Sequence, residues 1–238
     1  MVRTEKILIL VPVWNEEDKV AKVINDLKQH TMYDILVVDD GSSDQTTEVA
    51  EKTQCMVIKH AINLGVGAAI RTAIKYALQH DYDILVPVSG SGKTPAEYIP
   101  NLVNPILKEN YDFVQGSRYL KAEETLDMPL HRSIGTKMYS FIFSLILNHR
   151  ITDGSSGFRA MKVAMFKDKR FQIDQDWLNR YELEPYLYYQ CIRLGYKVKE
   201  VPVEIIYPHK KHYTKMRALV DWWSITRPIF YLKFGIKN

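Results

Sequence analysis

Polar side chains recur at intervals through the first 118 residues, each just after an apolar run. Val37-Val38-Asp39-Asp40-Gly41-Ser42 ends in two acids and a glycine turn. A carboxylate at a strand end can accept hydrogen bonds from a base N–H or from ribose hydroxyls. The same residues can build an Asx turn in which Ser42 caps the next helix. The expected division is that Asp40, Gly41 and Ser42 shape the turn while Asp39 reads a ligand. Asn15-Glu16, Asn63, Ser89-Gly90-Ser91 and Arg118 follow the other runs. In Asn63-Leu64-Gly65-Val66-Gly67 the glycines can bring backbone close to a phosphate at a helix N-terminus. Close packing of that helix is an equally good use for Gly65 and Gly67.

Gly90-Ser91-Gly92-Lys93-Thr94 resembles part of a P-loop, but Pro87 stands where the first glycine is required and Pro95 follows at once. The loop is then too short to wrap a β-phosphate, so an ATPase is set aside. The second half carries cations: Arg118, His131, Arg132, Lys210, Lys211, His212 and Lys215. An arginine fork suits bidentate phosphate contact and a lysine supplies a point charge. Lys210 and Lys211 read as solvated surface, whereas Arg132 precedes an apolar helix beside Ser133 and Gly135. The loop Asp153–Arg159 either shapes an acceptor pocket or makes a tight turn. Glu182 and Glu184 alternate ahead of Pro185. Either an exposed helix start holds them, or one is a general base or orienting group; Glu184 is the candidate kept for catalysis.

The elements that position these groups alternate between strand and helix. Ile7–Val13, Ile35–Val38, Met56–Lys59, Ile84–Val88 and Phe113–Gly116 read as strands. Val20, Val23, Ile24 and Leu27 have the i, i+3, i+4, i+7 spacing of an amphipathic helix. Ser42 and Gln45 are spaced as a capping box. That box would start a second helix; a third opens at Gly65 and Gly67, and a fourth covers Pro95–Glu109. Such alternation implies an α/β fold with a mostly parallel sheet covered on both faces. Its strand carboxyl ends share one edge, where ligands bind. Past Arg118 the pattern loosens, and Lys121–Leu130, with Glu123, Glu124 and Asp127, reads as a loop.

At 238 residues with 46% hydrophobic and 25% charged side chains, the chain can bury a full core. Its net charge of +4 shows no clustered basic face, so no nucleic-acid partner is expected. Cys55 and Cys191 form neither a disulfide framework nor a metal spacing, which suits a reduced cytoplasm. The N-terminus lacks a signal-peptide pattern, and no apolar run is long enough to span a bilayer. Met138–Leu147 and Trp222–Phe234 are nevertheless rich in apolar residues. Met138, Phe141, Ile142, Leu145 and Ile146 can form one apolar face, with Ser140, Ser144 and Asn148 as a polar stripe. Leu219, Trp222, Trp223, Ile229 and Phe230 can form another, with Arg217, Arg227 and Lys233 among them. Two helices lying in a membrane interface are one use for such faces. Packing on the core or a dimer contact is the other.

Together these segments resemble glycosyltransferase family 2, and within it the dolichyl- or polyprenyl-phosphate sugar synthases. The resemblance rests on VPVWNEEDKV (11–20), ILVVDDGSSDQT (35–46), NLGVGAAIRTAI (63–74), VQGSRYL (114–120), HRSIGTKMYS (131–140), ITDGSSGFRAM (151–161) and LGYKVKEVPVEI (194–205). It implies a GT-A, Rossmann-like fold in one domain of residues 1–238. Residues 1–118 would be the nucleotide-sugar half, and 119–238 the acceptor side with C-terminal amphipathic helices. It implies a GDP- or UDP-sugar donor, inversion at the anomeric carbon, and a polyprenyl or dolichyl phosphate as acceptor. By position, Pro12, Asn15, Glu16 and Asp39 look like nucleoside contacts, and Arg118, Arg132 and Lys215 like phosphate or acceptor contacts. Asp40, Gly41, Asn63, Gly65, Gly67, Ser89, Ser91 and Lys93 complete the expected donor site. The implied location is cytoplasmic, at the inner membrane face.

Two departures stand out. The family has Asp-x-Asp after the fourth strand, whose acids bind Mg²⁺ or Mn²⁺. Here the residues are Ser89-Gly90-Ser91, followed by Lys93. Serines are poor ligands for a hard dication, so metal dependence is expected to be weak. The second departure is Tyr186, which stands where many relatives carry an acid; among the matching segments, a basic HKKHYTKMR (209–217) takes the place of the family's Gly-Glu-Ser-Lys-like loop. A phosphate acceptor is already ionised and needs no base. A non-catalytic nucleotide-sugar-binding module is the second reading. A nucleotidyltransferase is the third, though it would want a basic loop where Trp14-Asn15-Glu16-Glu17 is acidic.

Overall fold

Every residue of Ile7–Val13 is apolar because both of its faces are covered. This segment is strand β1, and its side chains alternate. Ile7, Ile9, Val11 and Val13 enter one core, while Leu8 and Leu10 enter another on the opposite face. The computed structural model describes residues 5–121, 128–207 and 221–237, with the backbone alone of 218–220.

After β1 come α1 (Val20–His30), β2 (Asp34–Asp39), α2 (Thr46–Lys52), β3 (Met56–Lys59), α3 (Val66–Gln79) and β4 (Ile84–Pro87). Then follow α4 (Ile99–Glu109), β5 (Phe113–Ser117), α5 (Leu130–Leu147), β6 (Arg159–Lys162), α6 (Leu183–Arg193), β7 (Val198–Pro202) and α7 (Ala218–Lys233). The described strands form one sheet in the order β3-β2-β1-β4-β6-β5-β7. Only β6 runs against its neighbours. The carboxyl ends of the other strands therefore share one edge, as the sequence predicts. Strands β6 and β7 lie beyond that prediction.

Helices α1 and α4 cover one face through residues such as Val23, Ile24, Leu102 and Val103. Helices α3, α5, α6 and α7 cover the other, around Phe113 stacked on Tyr188, Phe143 stacked on Tyr189, and an edge-to-face contact between Phe143 and Tyr188. Phe143 is fully buried, so truncating it to alanine costs about 3–5 kcal/mol.

Three local expectations need correction. The capping box does not form: the Gln45 side chain makes no capping bond, and the Ser42 hydroxyl donates to Asp39 Oδ1 instead. Helix α5 buries part of its polar stripe beside an apolar core face. The Ser140 hydroxyl accepts the Gly154 N–H and the Ser144 hydroxyl accepts the Ile151 N–H, so these two serines face inward while Asn148 is exposed. Leu130, Ile134, Met138, Phe141 and Leu145 point outward and are each more than half exposed. Ile142 and Ile146 instead pack on the core. The second proposed membrane face is not free either: Ile229 is fully buried, Trp222 and Phe230 pack inward, and Trp223 alone of the described members is exposed. The side chain of Leu219, together with Arg217, lies outside the described residues. Among the described residues no helix is long and apolar enough to cross a membrane.

Candidate active site

A cleft of about 670 Å³ opens at the carboxyl edge of the sheet. The ends of β1, β4 and β5 form its floor. Its walls are residues 154–159 and 180–185, the first turns of α5, and the start of α7.

The turn after β2 sends the two aspartates to different surroundings. Asp39 is fully buried, and its carboxylate accepts the Ser42 N–H at 3.0 Å, the Ser42 hydroxyl and the Thr47 hydroxyl. It is not part of the cleft wall, and its bonds hold the turn. Asp40 does face the cleft. Its carboxylate accepts the N–H groups of Leu64 at 3.0 Å and Gly65 at 2.7 Å and contacts His60 Nδ1 at 2.8 Å. These N–H groups lead into α3, so Asp40 ties the end of β2 to the start of that helix.

The glycines serve packing. A Cβ on Gly67 would lie 2.2 Å from the Leu178 carbonyl oxygen, and one on Gly65 would lie 2.4 Å from that of Asn179. The Ala68 N–H donates to this same Asn179 carbonyl at 3.0 Å. Gly41, at φ +72°, has its turn pressed on Ile62. Gly41 and Gly67 do not line the cleft, and close packing is the use the structure shows for Gly67. Asn15, at φ +51°, accepts the Ser43 N–H through Oδ1 and so ties the β1 loop to the β2 loop. It too shapes the cleft without lining it. Pro12, Glu16, Asn63, Gly65, Ser89, Ser91 and Lys93 line it. Glu16 pairs with Lys19 at 2.6 Å.

The cations on the acceptor side differ in what is left of their charge. Arg118 is 3% exposed and clamped by Asp153: Nε donates to Oδ2 at 2.6 Å and Nη2 to Oδ1 at 2.7 Å. Its remaining donors reach the hydroxyls of Ser155 and Tyr207. Burial opposes its charge and Asp153 more than offsets that, so the guanidinium is held above its ordinary pKa. Arg118 reaches the cleft largely neutralised, a limit on its expected phosphate role. Arg132 lies over the Tyr207 ring at 5.3 Å and makes no ion pair among the described residues. Its Nε is buried without a hydrogen-bond partner. Arg118 and Arg132 therefore do converge, through Tyr207. Lys215, with Lys210, Lys211 and His212, lies outside the described residues, as do Glu123, Glu124 and Asp127.

Glu182 and Glu184 separate. Glu182 is buried and receives Arg227 of α7. Glu184 lines the cleft, with Oε1 at 3.5 Å from Arg159 Nη2. Tyr186, at the second departure, is core, and its hydroxyl accepts the Gln172 N–H. Several cleft groups escaped the sequence reading. Arg180 lines the cleft and makes no ion pair among the described residues. Asp153 was legible only as a loop end, and Asp221 and Trp222 only as parts of a greasy helix. Tyr181 also lines the cleft; burial, then Asp221 and Glu184, push its phenol up to about 12.

The residues after β4 do not fit a divalent cation. Ser89 and Ser91 bond to each other through their hydroxyls at 2.8 Å. Of the acids that line the cleft, Glu16 pairs with Lys19 and Asp40 holds the start of α3. Among the described residues no three His, Cys, Asp or Glu side chains gather as a ligand set.

Residues 8–169 match the glycosyl transferase family 2 profile. An uncharacterized protein of Methanocaldococcus jannaschii is 34% identical over 206 residues, covering 87% of this chain and 84% of that one. The UDP-N-acetylglucosamine–dolichyl-phosphate N-acetylglucosaminyltransferase of Methanococcus voltae is 29% identical over 218 residues, covering 84% and 86%. Glucosyl-3-phosphoglycerate synthase from Mycobacterium tuberculosis, solved with Mn²⁺, UDP and phosphoglyceric acid, superposes with a TM-score of 0.68. It is 18% identical, and the match covers 98% of this chain and 80% of that one. That likeness establishes a GT-A-like fold.

Proposed function

The chain belongs to glycosyl transferase family 2, and from that premise we propose that it moves a sugar from a nucleoside-diphosphate donor to a polyprenyl or dolichyl phosphate, inverting the anomeric carbon. It is a glycosyltransferase; the donor, acceptor and stereochemistry are our reading. The Methanococcus voltae relative, named for UDP-N-acetylglucosamine and dolichyl phosphate, supports a UDP-sugar and a lipid phosphate.

The observation that carries the acceptor is Arg132. It stands in the first turn of α5 with an unpartnered, buried Nε in the cleft. The same helix presents the outward row Leu130, Ile134, Met138, Phe141 and Leu145. One helix thus offers a guanidinium for a phosphate head and an apolar surface for the chain behind it. In the proposed reaction a phosphate oxygen of the acceptor attacks the anomeric carbon as the bond to the donor diphosphate breaks. The nucleoside diphosphate departs, and displacement from one side inverts the centre. The acceptor oxygen is already anionic and no proton is removed from it. Glu184, bridged to Arg159, acts by orientation. In this scheme residues 1–118 serve the donor and residues 119–238 the acceptor, at the cytoplasmic face of a membrane.

The test is transfer from a panel of labelled UDP- and GDP-sugars to polyprenyl phosphate and, in parallel, to free polyprenol. Product on the phosphate alone is expected. Arg132→Met should raise KM for the lipid phosphate by about tenfold or more, the scale of a lost charge-assisted hydrogen bond. Equal transfer to the alcohol would overturn the acceptor assignment. Tight nucleotide binding with no transfer to any acceptor would favour the non-catalytic module.

A further inference from the structure

A donor diphosphate carries negative charge that grows on the leaving oxygen as the glycosidic bond breaks, and something must neutralise it. The loop after β4, where this fold family places its metal-binding acids, is built differently here. The Ser89 N–H donates to Thr94 Oγ1 at 3.0 Å, and the Ser89 and Ser91 hydroxyls satisfy each other. Gly90 is pressed on β1: a Cβ there would lie 2.6 Å from the Pro12 carbonyl oxygen. The loop is therefore fixed against the strand end. Gly92, at φ +73°, then turns the chain, and Lys93 follows in the cleft wall. The Lys93 carbonyl accepts the Ile206 N–H at 2.9 Å, which anchors the residue from the second half of the chain.

A second cation reaches the same cleft from residues 180–185. Arg180 crosses over Gly65, its Cγ lying 2.9 Å from where a Gly65 Cβ would stand. This glycine thus leaves room for an arginine stem, and the head belongs to no ion pair among the described residues. Lys93 and Arg180 come from opposite halves of the chain and share a cleft with two serines in place of metal-binding acids.

We propose that Lys93 and Arg180 replace the divalent cation, so that the donor diphosphate is bound and its leaving charge stabilised without metal. This rests on the nucleoside-diphosphate donor named above. Side-chain cations held in place by the fold can stabilise a developing charge at little cost in reorganisation.

Isothermal titration of the full chain with UDP, GDP, uridine and guanosine, in excess EDTA and again in excess MnCl₂, tests this directly. The diphosphate that binds should do so with the same Kd, within about twofold, under both conditions. Lys93→Met and Arg180→Met should each weaken the diphosphate about tenfold or more, leaving the matching nucleoside unchanged. Lys93→Arg should keep most of the affinity, which guards against a folding defect. Ser89→Asp with Ser91→Asp places two carboxylates where the hydroxyls now touch, and their repulsion should make diphosphate binding dependent on Mn²⁺. A wild-type Kd that tightens tenfold or more with Mn²⁺ overturns the metal-free proposal and leaves the donor reading intact. Undiminished diphosphate affinity in both methionine variants overturns it as well. Failure of both diphosphates to bind under either condition removes the donor reading along with it.

Discussion

Asp153→Asn is expected to destabilise the protein by about 3–5 kcal/mol, the range seen when one member of a buried ion pair is removed. The change is nearly isosteric, so the effect comes from charge and hydrogen bonding. Asp153 is fully buried and Arg118 is 3% exposed. One Asp153 oxygen receives Nε at 2.6 Å and the backbone N–H of Arg118 at 3.1 Å; the other receives Nη2 at 2.7 Å. Asparagine keeps one acceptor and turns an NH₂ toward the guanidinium, leaving a cation buried without its anion. Tyr207 and Ser155 still accept, but neither is charged. For a chain of this size the loss corresponds to a fall in Tm of about 6–20 °C. Urea denaturation followed by tryptophan fluorescence and circular dichroism measures it. Arg118→Met should cost a similar amount, and the double variant clearly less than the sum, because it leaves neither charge stranded. A loss below about 1 kcal/mol for Asp153→Asn, or simple additivity in the double variant, would refute the argument that this pair is a mutually dependent structural clamp.

Further outcomes are expected. Gly67→Ala should destabilise by about 1–3 kcal/mol despite alanine's better helix propensity, because its Cβ would meet the Leu178 carbonyl oxygen at 2.2 Å; a stabilised variant in thermal melts would contradict the packing role. The Tyr181 phenol is raised from 10.0 to about 12, so the folded state keeps a proton that the unfolded chain releases first. Its contribution to stability is full below about pH 10 and falls by up to about 1.4 kcal/mol per pH unit toward pH 12. Tyr181→Phe should flatten that alkaline slope, and equal slopes in the two proteins would argue against it. Phe141→Ser with Leu145→Ser, at positions 63% and 65% exposed, should change stability by no more than about 0.5 kcal/mol per site while reducing co-sedimentation with anionic vesicles. If the wild type ignores such vesicles at low salt, the membrane role of α5 is wrong.

The strands through β5 were legible because each is an apolar run closed by a polar turn, and a sheet buried on both faces requires that pattern. β6 and β7 were not. β6 is four residues long and follows a glycine-serine loop, and most residues of β7, at the sheet edge, are only half buried. The strand ends located the cleft but not the direction of each side chain. Asp39 and Asp40 are neighbours with opposite fates, decided by how the chain leaves β2, and no spacing rule reads that. Apolar periodicity in α5 and α7 indicated faces without saying what covers them. In α5 the short loop at 151–154 drew the serines inward. In α7 the tie from Arg227 to Glu182 accompanies a helix that turns Trp222 into the cleft. Arg180 was hidden because a lone arginine before a helix carries no pattern.

The seating of α3 on residues 173–179 also has a consequence for how the chain is made. Beyond the glycine contacts, Arg71 donates to the carbonyls of Ile173 and Gln175 and to the Asn179 side chain, 108 residues away. On the ribosome, α3 emerges with its inner turns complete but this flank bare. It must wait several seconds, at about 5–20 residues per second, for its partner segment to be synthesised. During that interval the first half has its strand-end loops but lacks the surface that packs against them. A fragment stopping at residue 118, or where the family profile stops at 169, would remain in that unfinished state. The cleft edge of the sheet is therefore completed late, by a segment outside the region through which the family is recognised.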